Sequence, residues 1–130
     1  MSKSIQVLLV EDSEADRCLF EAMLEELSED VSVIQAFDGE QARCMLVENE
    51  VFPSIIFLDI NMPKMDGHEF LACNESLLTE QNVQVYMLSS SGREQDKAEA
   101  ASYSCVKGYI EKPCTAEVLA SALYYSSPLT

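Results

Sequence analysis

Basic residues are scarce in this chain: eight Lys and Arg stand against 23 Asp and Glu, a formal net charge of −15 in 130 residues. Affinity for a nucleic-acid backbone rests mainly on cations that neutralise phosphates, so this balance argues against direct DNA or RNA binding. Long apolar runs are missing as well. No uninterrupted run exceeds Ile55 to Leu58, far too short to cross a bilayer, and the opening MSKSIQVLLVEDSEAD has neither an extended apolar segment nor a small-residue cleavage site. A soluble cytoplasmic protein that does not enter the membrane is expected. Cysteine pairing signals are absent too: Cys18, Cys44, Cys73, Cys105 and Cys114 are odd in number, form no CxxC, and have no partner at zinc-ligand spacing. Reduced thiols follow.

What is present is ordinary globular composition, with 48% apolar and 24% charged residues. The length suits one domain over residues 1–130, able to bury roughly two thirds of its unfolded surface. Apolar β-branched runs mark strands at SIQVLLV (4–10), VSVIQA (31–36), SIIFLD (54–59), VQVYML (83–88) and VKGYIE (106–111). The first, third and fourth are apolar almost throughout, as strands covered on both faces are. Between them Leu19, Phe20, Met23, Leu24 and Leu27 recur at helical spacing, and similar stretches fall near 39–49, 67–79, 92–103 and 115–125. Five βα units in succession predict an α/β doubly wound parallel sheet.

In such folds ligands bind beyond the carboxyl ends of the strands, where strand order reverses. Asp59 closes the third strand and therefore belongs at that edge, and Glu11 and Asp12 follow the first strand to the same place. Three converging carboxylates repel one another unless a cation or a shared proton compensates, and a hard divalent cation is the expected compensation. Mg²⁺ suits the site, because it takes oxygen ligands and keeps several waters. Ser89, from LSSSG, and Lys112, from IEKP, close two further strands. A carboxylate nucleophile, a metal, a hydroxyl and an ammonium together describe phosphoryl transfer. Each feature alone has a plainer reading: an acidic pair after a strand is usually a capping loop, SSSG a turn, and KP a strand end. Their occurrence at four strand ends of one short chain favours chemistry.

LLVEDSEAD, IIFLDINMPKMDG, VYMLSSSG and GYIEKP are similar, in order and spacing, to the motifs of the receiver domain of two-component response regulators. The resemblance covers nearly the whole chain and implies a flavodoxin-like (βα)5 fold with strand order 2-1-3-4-5. It implies Asp59 as phosphoacceptor, Glu11 and Asp12 as the acidic pair for Mg²⁺ with the Asn61 carbonyl as a further ligand, and Ser89 and Lys112 as partners of the phosphoryl group. Tyr109 would be the aromatic switch residue, Pro113 would follow a cis peptide bond, and Asn61 and Ser91 would tune hydrolysis. Ser89 stands where many members carry Thr, and Glu11 where Asp is also common; neither change removes a functional group.

The activity so implied is that of a chemotaxis-regulator-like single receiver. It takes a phosphoryl group from a histidine kinase or phosphotransfer protein, catalyses its own Mg²⁺-dependent phosphorylation and dephosphorylation, and signals through a downstream target protein. Only SSPLT follows the last helix, so no output domain is expected. A haloacid-dehalogenase-like phosphatase needs an acid two residues after its nucleophile, where Asn61 stands. A phosphorylation-independent receiver-fold adaptor would be expected to lack the acids or the Lys, and none is missing. His68, just after the loop Gly67, is a poor phosphohistidine; Met62 and Met65 read as packing residues, and EELSED (25–30) as a solvated face.

Overall fold

Strand and helix segments alternate through the computed structural model, which describes residues 5–27, 31–90 and 92–125. The order is β1 (Ile5–Val10), α1 (Glu14–Leu27), β2 (Val31–Ala36), α2 (Gly39–Val47), β3 (Ile55–Asp59), α3 (Gly67–Glu80), β4 (Gln84–Ser89), α4 (Glu94–Ala101), β5 (Val106–Glu111) and α5 (Ala116–Tyr125). All five strands are parallel in the order β2-β1-β3-β4-β5, the flavodoxin-like arrangement expected. The strand order reverses between β1 and β3, so the ligand edge lies at their carboxyl ends.

Burial follows from that order. β3 sits in the middle and every one of its residues is buried, whereas the edge strands β2 and β5 carry the exposed Ser32, Lys107 and Glu111. Because successive side chains on a strand point to opposite faces, β1 and β3 feed two separate cores. Leu8, Val10, Ile56 and Leu58 pack with Ala42, Leu46, Phe70, Leu71 and Ala100 of α2, α3 and α4. Val7, Leu9, Ile55 and Phe57 pack with Phe20, Leu24, Leu119 and Leu123 of α1 and α5. Fully burying each large apolar side chain contributes roughly 1.5–3 kcal/mol, so the two faces together hold the sheet edge in place.

Local signals set the helix starts. Asp38 caps α2 by accepting from the Gln41 N–H, and Asp66 and Glu69 form a reciprocal capping box at α3. The helix α4 is different. Its N-cap residue Arg93 makes no side-chain cap bond, and only Asp96 and Ala100 of the helix are buried. β4 runs one residue later than its apolar pattern predicts, because Ser89 still pairs with Glu111. Leu19 also departs from the expected face of α1, being 59% exposed while Phe20 and Leu24 are buried. The segment 28–30 of the acidic stretch lies outside the described residues.

The pairing of β4 with β5 is irregular. Val85 faces Val106 but Tyr86 faces Gly108, so Lys107 is an extra residue on β5. Past this bulge Met87 pairs with Tyr109, which turns the Tyr109 ring to the core shared with α4. Gly108 accommodates the neighbouring ring, since a Cβ there would lie 2.7 Å from Tyr86 Cε2. The Lys112–Pro113 peptide is cis, as expected. Among the described residues, no helix is long and apolar enough to cross a membrane.

Candidate functional site

The hydrogen-bond ladder continues past the strand ends and fixes the residues that follow them. Glu11 N–H donates to the Ala36 carbonyl at 3.1 Å, Ile60 N–H to Leu88 at 3.1 Å, and Lys112 N–H to Ser89 at 2.8 Å. Four strands thereby hold Glu11, Asp59, Ser89 and Lys112 at one edge. The turn after Asp59 is drawn close: Gly67 N–H donates to the Ile60 carbonyl at 2.8 Å, and a Cβ on Gly67 would lie 2.8 Å from the Asp59 carbonyl oxygen. Glycine is required there by that approach of the α3 start to the strand end.

Glu11, Asp12 and Asp59 each offer a carboxylate oxygen, all within 4.8 Å of one another; Glu11 and Asp59 are buried and Asp12 is exposed. Lys112 Nζ lies 2.7 Å from Glu11 Oε1, 3.3 Å from Asp16 Oδ2 and 3.4 Å from Asp59 Oδ1. The other Glu11 oxygen accepts from Ser13 N–H at 3.2 Å. Arg17 donates to the Glu11 carbonyl at 2.9 Å, and its guanidinium lies 4.1 Å from the centre of the Phe37 ring, so both ends of Glu11 are held.

The electrostatics are unbalanced. Burial, followed by the charge of Glu11, pushes the Asp59 carboxyl from its ordinary 3.8 up to about 7, against the opposing pull of Lys112. Burial acts to lower Lys112, but its bond to Glu11 and the charges of Asp59 and Glu11 outweigh this and raise it. One ammonium is thus shared among several carboxylates, and the site lacks positive charge. A hard divalent cation fits these donors, since all are oxygens and at least one is open to solvent.

Asn61 is exposed in the loop after β3, and Ser89 is fully buried at the end of β4. Tyr109 is half-buried on β5, with Lys97 Nζ 5.9 Å from its ring centre. Ser91 lies outside the described residues. Met62 is buried in the core and Met65 packs against it, as their reading as packing residues expects. His68 is turned away from the carboxylates toward α4, where Nε2 lies 3.2 Å from Asp96 Oδ1. Asp16 escaped the sequence reading. An acid in the first turn of a helix reads as a complement to the helix dipole, and nothing local reveals that it meets a lysine 96 residues away.

A cavity of about 370 Å³ adjoins the site, lined by Leu9, Leu19, Phe20, Met23, Lys112 and Pro113 among others.

Comparison with known proteins agrees with this fold. The family model for the response regulator receiver domain matches residues 7–124. The chain is 32% identical to the protein PilG of Pseudomonas aeruginosa over 122 residues, covering 94% of this chain and 87% of PilG. It is 37% identical to the response regulator Rcp1 of Synechocystis sp. over 95 residues, covering 69% of this chain and 65% of Rcp1. Its fold is similar to the crystal structure of the Mn²⁺-bound form of response regulator Rcp1, with a TM-score of 0.79, 29% identity and 98% of each chain covered. The chain therefore belongs to the response regulator receiver domain family.

Proposed function

We propose that this receiver accepts a phosphoryl group on Asp59 from a histidine kinase or phosphotransfer protein, and that the phosphorylated form signals through a downstream target protein. The observation that carries this reading is the convergence of Glu11, Asp12 and Asp59 within 4.8 Å, with Lys112 at 3.4 Å from Asp59. In the forward step an Asp59 carboxylate oxygen attacks phosphorus, and the phosphorus–nitrogen bond of the donor imidazole breaks. Lys112 pairs with the incoming phosphoryl oxygens and Ser89 donates its hydroxyl to one of them. Glu11, Asp12, Asp59 and the Asn61 carbonyl would hold Mg²⁺, which when bound supplies positive charge against the phosphoryl oxygens. In the return step water attacks phosphorus and the acyl-phosphate bond breaks, leaving the Asp59 carboxylate and inorganic phosphate.

The test is incubation with a small acyl-phosphate donor, with and without Mg²⁺. Wild type should gain a hydroxylamine-labile phosphoryl group that decays spontaneously, and Asp59→Asn should gain none. Labelling of Asp59→Asn at the wild-type rate would reject the assignment. A folded wild type that takes no label would favour the phosphorylation-independent adaptor.

A further inference from the structure

We propose that Asp16 is a positioning residue that draws Lys112 away from the phosphoryl site and so weakens its grip on a phosphoryl group at Asp59. The inference rests on the reading of Asp59 as phosphoacceptor. Lys112 Nζ has three protons and three carboxylate neighbours, at 2.7 Å (Glu11), 3.3 Å (Asp16) and 3.4 Å (Asp59). Asp16 is as close to the ammonium as Asp59 is. Unlike Glu11 and Asp59, it stands outside the three acids that can share a cation. A bound cation therefore relieves the charge of Glu11 and Asp59 while leaving the pull of Asp16 intact.

The backbone of Asp16 is anchored, because its N–H donates to Ser13 Oγ at 3.3 Å at the start of α1. Its side chain is 47% exposed, so water solvates the carboxylate whether or not Lys112 is beside it. A phosphoryl group on Asp59 brings several anionic oxygens to the same ammonium. Lys112 must then leave Asp16 or be shared with it, and either arrangement weakens the lysine–phosphoryl contact.

The full chain at saturating Mg²⁺ is titrated with beryllofluoride, followed by ¹⁹F NMR, for wild type, Asp16→Asn, Asp16→Glu, Glu14→Gln and Asp59→Asn. Mg²⁺ affinity is measured separately without beryllofluoride. Asp16→Asn should bind beryllofluoride roughly two- to fivefold more tightly, the size expected of one partly exposed charge pair. Its Mg²⁺ affinity should not rise. Asp16→Glu, which restores the charge on a longer stem, should fall back toward wild type. Glu14→Gln removes the same charge from the same helical turn and should give less than half the gain. Loss of structure cannot produce tighter binding, so unchanged or weaker beryllofluoride binding in Asp16→Asn overturns the inference. An equal gain in Glu14→Gln does the same, by assigning the effect to the general field. If wild type binds no beryllofluoride, or Asp59→Asn binds it as well as wild type, the phosphoacceptor reading itself fails, and the role of Asp16 falls with it.

Discussion

His68 Nε2 lies 3.2 Å from Asp96 Oδ1, so the chain's only histidine ties the first turn of α3 to the first turn of α4. Glu99 stands 3.8 Å from the same nitrogen, and Arg93 reaches the other Asp96 oxygen at 3.3 Å. Since Asp96 and Ala100 are the buried residues of α4, this helix is fastened by a buried carboxylate as well as by the apolar packing of Ala100. With the proton on Nε2 the ring donates to Asp96, while Nδ1 is buried with no hydrogen-bond partner among the described residues.

The pair should be visible in stability. We predict that His68→Ala destabilises the protein by about 1–3 kcal/mol, because Asp96 stays buried with a partner removed. Burial acts to raise the Asp96 carboxyl, but the His68 bond and then Arg93 outweigh it and hold it below 3.8. A depressed folded value stabilises above the unfolded one and loses that contribution as pH falls through the folded value. Asp96→Asn should therefore flatten the decline in urea stability below about pH 4. An acid limb unchanged from wild type would refute the assignment.

Asp59 should act with the opposite sign. Its folded value is raised from 3.8 to about 7, so in chelator its contribution is fully present below about pH 4 and is lost as pH rises through 7. Between pH 5 and pH 8 wild type should lose stability, on the order of 1–3 kcal/mol, relative to Asp59→Asn. Parallel urea curves for the two proteins across this range would contradict the raised value.

Gly67→Ala tests the close approach under the site. The added Cβ would lie 2.8 Å from the Asp59 carbonyl oxygen and 2.9 Å from Ile60 Cα, both backbone atoms that cannot turn aside. A loss of about 1–3 kcal/mol is expected, with slower labelling of Asp59. Wild-type stability and labelling together would show that the backbone shifts freely there.

Asn61 is small, neutral and exposed in the loop after Asp59. Asn61→Arg should lengthen the phosphorylated lifetime by shielding phosphorus from water, without slowing acceptance of the group. Decay at the wild-type rate, with acceptance intact, would remove Asn61 from control of hydrolysis.

Ser89 and Tyr109 should link phosphorylation to the surface. Ser89 is fully buried at the end of β4, the strand that pairs with β3 and its Asp59, and Tyr109 packs into the core shared with α4. Ser89→Ala and Tyr109→Ala should each accept phosphate at Asp59 but lose most of the phosphorylation-dependent gain in affinity for the target, because the two conformations are no longer distinguished. Titration of the target with and without beryllofluoride and Mg²⁺ checks this, and an undiminished gain would place the switch elsewhere.

The strand ends were legible in the sequence because period and position suffice there. IIFLD must be covered on both faces, so Asp59 falls at the ligand edge, and the same logic places Glu11, Asp12, Ser89 and Lys112. The relations between distant segments were not legible. Lys112 meets Asp16 across 96 residues and His68 meets Asp96 across 28, and only the packing of helices on the sheet sets such distances. Tyr109 depended on the tertiary structure more sharply still. Without the extra residue Lys107 it would pair with Leu88 and face α1 and α5; with it, Tyr109 pairs with Met87 and faces α4. A one-residue shift reverses the face of every following side chain on a strand, and the bulge arises from β4 and β5 meeting, which neither segment encodes alone.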